Sequence, residues 1–202
     1  SLFLDLLRQD MGDRLGEVAF NGSSSVVFDD GSGSVQNFGA GNIGAARGAV
    51  DGLTATGSTN IRAALQDALD LIPAAGDRRR VVVFLSDGMK TAGGDPTEAA
   101  FLNQFDTKNV NVFSVGFGTE GASGNAGLDI PLLQTLTNVG THGFYHVTQT
   151  ATGLDKFFID ALAGASGEEV ILDPEGELAE GAGKTIDIAV SSEESSVTFV
   201  AT

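Results

Sequence analysis

The chain has 202 residues and a formal net charge of -16, from 27 acidic and 11 basic side chains, with 42% hydrophobic residues and no cysteine. That length and apolar content suit one large domain, or one domain and a smaller piece, with a substantial core. The acidity disfavours phosphate backbones and anionic lipid surfaces, and the missing thiols exclude disulfides, thiolate zinc sites and cysteine nucleophiles.

Taken in chain order, Leu2 to Met11 has helical apolar spacing closed by Gly12. Gly16–Phe20 and Val26–Phe28 read as short strands around an Asn21–Ser24 turn, and Asn42–Leu53 as a helix weakened by glycine. The strongest helix runs from Thr59 to Leu71: Ile61, Ala64, Leu65, Ala68, Leu69 and Ile72 form one stripe, Thr59 or Asn60 can cap it, and Pro73 stops it. Val81–Leu85 is uninterrupted apolar, as expected of a central parallel strand covered on both faces. A helix at Thr97–Phe105, a strand at Val110–Val115, a helix at Ile130–Asn138, a strand at Phe144–Val147 and a helix at Gly153–Ala163 follow. This alternation predicts an α/β class, with a doubly wound, mostly parallel sheet and helices on both faces. No apolar run is long enough to span a membrane.

After Gly167 the pattern changes. Glu169–Leu172, Thr185–Val190 and Ser196–Ala201 read as strands between acidic, Gly-rich turns. The expected division is a domain over 1–165 and the beginning of a β-sandwich-like module over 166–202.

Several motifs have ordinary explanations. Gly116-Phe117-Gly118-Thr119-Glu120-Gly121 fits a dinucleotide fingerprint after a strand, but Ala122–Gly127 is a poor start for the helix that would receive a pyrophosphate. His142 and His146 have a zinc spacing only on a helix, and they fall on a strand. Asp173-Pro174-Glu175-Gly176-Glu177 reads as a solvated acidic turn rather than a calcium loop. Asp30-Gly31-Ser32-Gly33-Ser34 reads as a polar turn, and Arg78-Arg79-Arg80 as a flank of the buried strand. There is no G-x-S-x-G elbow, and an enzymatic role has no positive support.

Thr59 and Asp87 stand out. One opens the best helix, the other ends the most apolar strand, and both carry oxygen that a hard divalent cation accepts. Ligands of α/β sheets bind outside the carboxyl ends of the strands, where both residues are expected.

In the same order, the segments Gly12–Phe20, Gly57-Ser58-Thr59-Asn60-Ile61, Val82-Val83-Phe84-Leu85-Ser86-Asp87-Gly88, Val112–Gly118 and Gly143-Phe144-Tyr145 resemble a von Willebrand factor A (vWA) domain over residues 1–165. The resemblance implies a metal-ion-dependent adhesion site. There Thr59 and Asp87 help hold Mg²⁺, Mn²⁺ or Ca²⁺, and the carboxylate of a protein ligand completes the shell. It implies a noncatalytic module of a larger extracellular or cell-surface protein, without nucleic acid or membrane insertion. The family's first strand and its Asp-x-Ser-x-Ser loop would precede Ser1, so a missing upstream segment of the same polypeptide is expected as a partner. The alternatives are a metal-independent scaffold or assembly domain of the same fold, and a noncatalytic appendage of an enzyme.

Overall fold

A computed structural model describes Leu4, Leu7 and residues 12–119, 127–140 and 143–166. The elements are β1 (Arg14–Leu15), β2 (Glu17–Phe20), β3 (Ser24–Phe28), β4 (Gln36–Asn37), α1 (Ile43–Asp51), α2 (Ile61–Leu71), β5 (Arg80–Ser86), α3 (Ala99–Lys108), β6 (Val110–Phe117), α4 (Ile130–Thr137), β7 (Phe144–Thr148) and α5 (Ala151–Ser166). Of the first predicted helix only Leu4 and Leu7 are described, packed with Phe28, Phe38 and Ala46. The three strands predicted after Gly167, His142 and most of the Gly116–Gly127 loop lie outside the described residues.

The apolar pattern of each element explains its place. Strands β5, β6 and β7 form a parallel sheet in that order, with Val82 opposite Val112 and Val115 opposite His146. Alternate side chains of a strand point to opposite faces. Val82 and Phe84 therefore meet α2, α3 and α4 through Ile61, Leu65, Leu69, Phe101, Phe105 and Leu132. Val81 and Val83 turn the other way and join Phe113, Val115, Phe144 and Phe157 beneath α5. Helices on both faces of a parallel sheet make this a doubly wound α/β architecture.

In α2 the residues Ile61, Leu65 and Leu69 recur every fourth position and are essentially inaccessible to water. Each such side chain contributes roughly 1.5–3 kcal/mol by burial. The Lys108 ammonium, at the end of α3, donates to the carbonyls of Leu69 (2.5 Å) and Ile72 (3.1 Å). It thus supplies a cation and two donors where a helix end lacks them. The arginine cluster fastens loops in a similar way: Arg78 donates to the Gly12 carbonyl, Arg79 to that of Gly164, and Arg80 to those of Lys108 and Gly76.

Two findings depart from expectation. Residues β1 and β4, unforeseen, form a two-stranded antiparallel ladder. More consequentially, β5 has the apolar pattern of a central strand, yet among the described residues it is hydrogen-bonded only to β6. The hairpin β2–β3 forms a separate antiparallel pair, with a bulge between Glu17 and Val18. It meets the sheet through α2 and through a stack of Phe20 on Phe84, centroids 5.6 Å apart.

Next to the bulge, the Glu17 Oε2 atom is buried without a hydrogen-bond partner among the described residues. Burial pushes this carboxyl up from 4.5 to about 7. A carboxyl whose pKa rises on folding stabilises the fold fully below its unfolded value and loses that contribution as pH climbs through the folded value. Denaturant midpoints are therefore expected to fall between pH 5 and pH 8. Glu17→Gln is expected to flatten that slope and gain about 1 kcal/mol at pH 8, the effect being limited by partial solvent screening. A slope unchanged in the Gln variant would assign the pH dependence elsewhere.

Candidate functional site at the carboxyl edge of the sheet

Helix α2 starts at the carboxyl edge, and its cap separates two residues that the sequence leaves equivalent. Asn60, not Thr59, is the N-cap: its Oδ1 accepts from the Ala63 N–H at 3.2 Å. The Asn60 backbone N–H also donates to the Asn21 carbonyl (2.7 Å), and its side-chain amide to that of Gly22 (3.3 Å). The hairpin turn is thereby fastened to the start of α2.

Thr59 is left for another contact. Its N–H donates to the Thr91 hydroxyl at 2.8 Å, and its carbonyl accepts from the Thr91 and Ala92 N–H groups at 3.0 and 3.1 Å. Thr91 lies in the loop that follows β5, four positions beyond Asp87 in the sequence. The two loops singled out by sequence are thus bonded to one another. Neither the Thr59 hydroxyl nor the Asp87 carboxylate has a hydrogen-bond partner among the described residues, and Asp87 is exposed. Beside it, Ser86 closes the strand end by accepting from Gly88 N–H (3.4 Å) and donating to Gly88 carbonyl (3.1 Å).

The loop after β5 approaches α2 closely. Gly93 adopts φ +76°, and a Cβ there would lie 1.9 Å from Asn60 Oδ1. Only glycine allows both the left-handed backbone and this approach. Arg62 then donates to the Asp95 carbonyl (2.7 Å), pairs with Glu98 and lies over the Phe101 ring at 4.6 Å. Asp95 is held below the usual carboxylate range by the Thr97 N–H and hydroxyl, with smaller help from the Lys90 and Arg62 charges. These residues border an open cleft of about 290 Å³ between Lys90, Asp95, Thr97 and the start of α4 at Asp129 and Pro131.

Other candidates stand apart from this edge. Asp30 Oδ1 accepts from Ser32 N–H (2.8 Å), Ser32 hydroxyl (2.8 Å) and Ser34 N–H (3.1 Å), which makes Asp30–Ser34 a self-satisfied turn and lowers the Asp30 pKa. His146 sits exposed on β7. Among the described residues no three His, Asp or Glu side chains converge as a ready-made metal cluster. Thr91 was invisible to sequence reasoning. The only signal was a run of Thr, Gly and Asp directly after the apolar strand, which marks a loop without saying what it touches.

No protein-family model matches the chain, and no curated protein does. Solved structures do. A von Willebrand factor type A protein from Catenulispora acidiphila superposes with a TM-score of 0.66 at 18% identity, covering 81% of this chain and 36% of that one. Proximal thread matrix protein 1 from the mussel byssus, with a zinc-occupied MIDAS motif, gives 0.62 at 19% identity, covering 80% of this chain and 38% of that one. The chain thus spans well under half the length of either protein. The fold is that of a vWA-like domain over most of the described chain.

Proposed function

We propose that this vWA-like chain is a noncatalytic, metal-dependent protein-binding module of an extracellular or cell-surface protein, in which Thr59 and Asp87 help hold a divalent cation. The observation that carries the reading is the bonded pair of loops at the carboxyl edge, Thr59 on one and Thr91, four positions after Asp87, on the other. The residues fit such an ion in kind: a free hydroxyl and an exposed, free carboxylate, both hard oxygen donors with no competing thiolate. One carboxylate and one neutral hydroxyl leave half of a divalent ion's charge uncompensated and most ligand positions to water. An ion so held attracts an acidic side chain from a protein ligand, because that ligand replaces water and neutralises charge together. The zinc-occupied MIDAS motif of the mussel byssus protein, which is similar in fold, supports a divalent metal as the ligand. The division into a vWA-like domain over 1–165 and a β-rich module over 166–202 belongs to the same reading.

The chain's own residues have distinct parts. Asp87 supplies the negative charge. Thr59 supplies a neutral oxygen whose position is set by its backbone bonds to Thr91 and Ala92, and Asn60 and Gly93 hold the loops together. Calorimetric titration of Mg²⁺ and Mn²⁺ tests the proposal. Binding is expected in the full chain, with at least a tenfold loss in Thr59→Ala and abolition in Asp87→Ala. Equal binding by Asp87→Ala, or none by the parent chain, would favour a metal-independent scaffold.

A further inference from the structure

The hairpin turn that fastens β2–β3 to α2 contains the one Asn-Gly pair in the chain, Asn21-Gly22. The other asparagines precede bulkier residues, as in Asn37-Phe38 and Asn138-Val139. Glycine has no Cβ to hinder its backbone nitrogen, so in such a pair that nitrogen can reach the preceding side-chain amide. Asn21, Gly22 and Ser23 are all exposed to water, and the Gly22 N–H has no hydrogen-bond partner among the described residues.

The turn also prepares the other reactant. Asn21 Oδ1 accepts from the Ser23 N–H at 3.0 Å and from the Ser23 hydroxyl at 3.4 Å. Two donors on one carbonyl oxygen draw electron density away from Cγ. They also stabilise the negative charge that this oxygen takes up when a nucleophile adds, as an oxyanion hole does. Nucleophile and electrophile are neighbours in the chain, so their meeting costs little entropy. The bonds of the Asn21 side chain run through Oδ1, which leaves its nitrogen, the leaving group, unheld among the described residues.

We propose that Asn21-Gly22 is a site of spontaneous amide-to-acid conversion, which releases the hairpin from the start of α2. The Gly22 nitrogen loses its proton and bonds to Asn21 Cγ. The bond from Cγ to the side-chain nitrogen breaks, and that nitrogen leaves with the proton as ammonia. Water then opens the resulting cyclic imide at either carbonyl. Opening at Cγ gives aspartate on an unchanged backbone. Opening at the former backbone carbonyl gives isoaspartate, in which the chain runs through Cγ and is one atom longer.

The two products differ at the tie to α2. The Asn21 carbonyl accepts from the Asn60 N–H at 2.7 Å, and the Gly22 carbonyl from the Asn60 side-chain amide at 3.3 Å. Aspartate retains both acceptors and the Oδ1 bonds to Ser23. Isoaspartate turns the first acceptor into a carboxylate on a side branch and displaces Gly22 along the lengthened chain. Gly22 is closely packed: a Cβ there would lie 2.7 Å from the Ser58 hydroxyl. Its displacement therefore bears on the Gly57-Ser58 segment that leads into Thr59. The proposal is independent of the metal reading, since it concerns the bonds of the turn and needs no ion.

Peptide mapping of the full 202-residue chain, incubated folded at mildly alkaline pH, tests it. Conversion at Asn21 is expected to outpace that at any other asparagine by roughly tenfold or more. Isoaspartate is detected by enzymatic methylation of its free carboxylate. Ser23→Ala, which removes one donor to Oδ1, is expected to slow the conversion several-fold. Amide hydrogen exchange reads the consequence: the Asn60 N–H is expected to lose protection in the isoaspartate fraction and to keep it in Asn21→Asp. Three results would overturn the proposal. Asn21 could stay intact in the folded chain while it converts in urea, so that the turn protects it; Ser23→Ala could convert at the parent's rate; or Asn60 could stay protected in the isoaspartate fraction.

Discussion

Phe113→Ala is expected to be the most damaging single truncation in the described chain, with a loss of about 4 kcal/mol. Phe113 lies at the centre of β6 and is fully buried. Its ring lies 4.8 Å from that of Phe144, which in turn lies 5.5 Å from Phe157 of α5, and Phe158 extends the row. Truncation removes the ring that connects the sheet to α5 and leaves a cavity that β6, hydrogen-bonded on both sides, cannot collapse to fill. Urea or thermal unfolding measures the effect, and a midpoint lowered by roughly 10 °C is expected. A loss below about 1 kcal/mol would mean that α5 is held by something other than this aromatic row.

Gly143→Ala is expected to cost about 3 kcal/mol by the opposite mechanism, overpacking. A Cβ at this position would lie 2.2 Å from the Thr137 carbonyl oxygen and 2.7 Å from that of Val112. Both are backbone atoms, one at the end of α4 and the other inside β6, so neither can swing aside. The entry of β7 must move instead, and its register against Phe113 and Ser114 with it. Gly116→Ala provides the contrast. Its Cβ would meet the tips of Leu128 and Leu133, which can shift rotamer, and the expected loss is under half that of Gly143→Ala. Equal losses from the two substitutions would contradict this distinction.

What the sequence made legible follows from range. The stripe of α2 and the apolar runs of β5 and β6 are local patterns, and each element lies within a few residues of its expected span. The placement of Thr59 and Asp87 at one edge was also legible, since in an α/β unit the end of a strand and the start of a helix share that edge. The choice of Asn60 over Thr59 as cap was not, because adjacent residues with similar side chains compete and the outcome rests on Asn21, Gly22 and Gly93, which are remote in sequence. The same holds for Thr91, bonded across two loops, and for Glu17, whose carboxyl is buried beside a bulge. Nor does a run such as Val81–Leu85 state how many neighbours it has. It encodes two covered faces, whereas edge pairing is settled by whichever strands arrive.

The sheet's connectivity also sets an order of assembly. The β2–β3 hairpin closes across a turn of a few residues, while each pairing within β5–β6–β7 joins segments that a whole helix separates. Closing the longer loops carries more entropy and slows the search. Refolding should therefore begin with the hairpin and α2 and finish with the parallel sheet. The Thr59–Thr91 tie, which requires β5 to be docked, would then be among the last bonds to form, so the edge bearing Asp87 matures only when the core is complete.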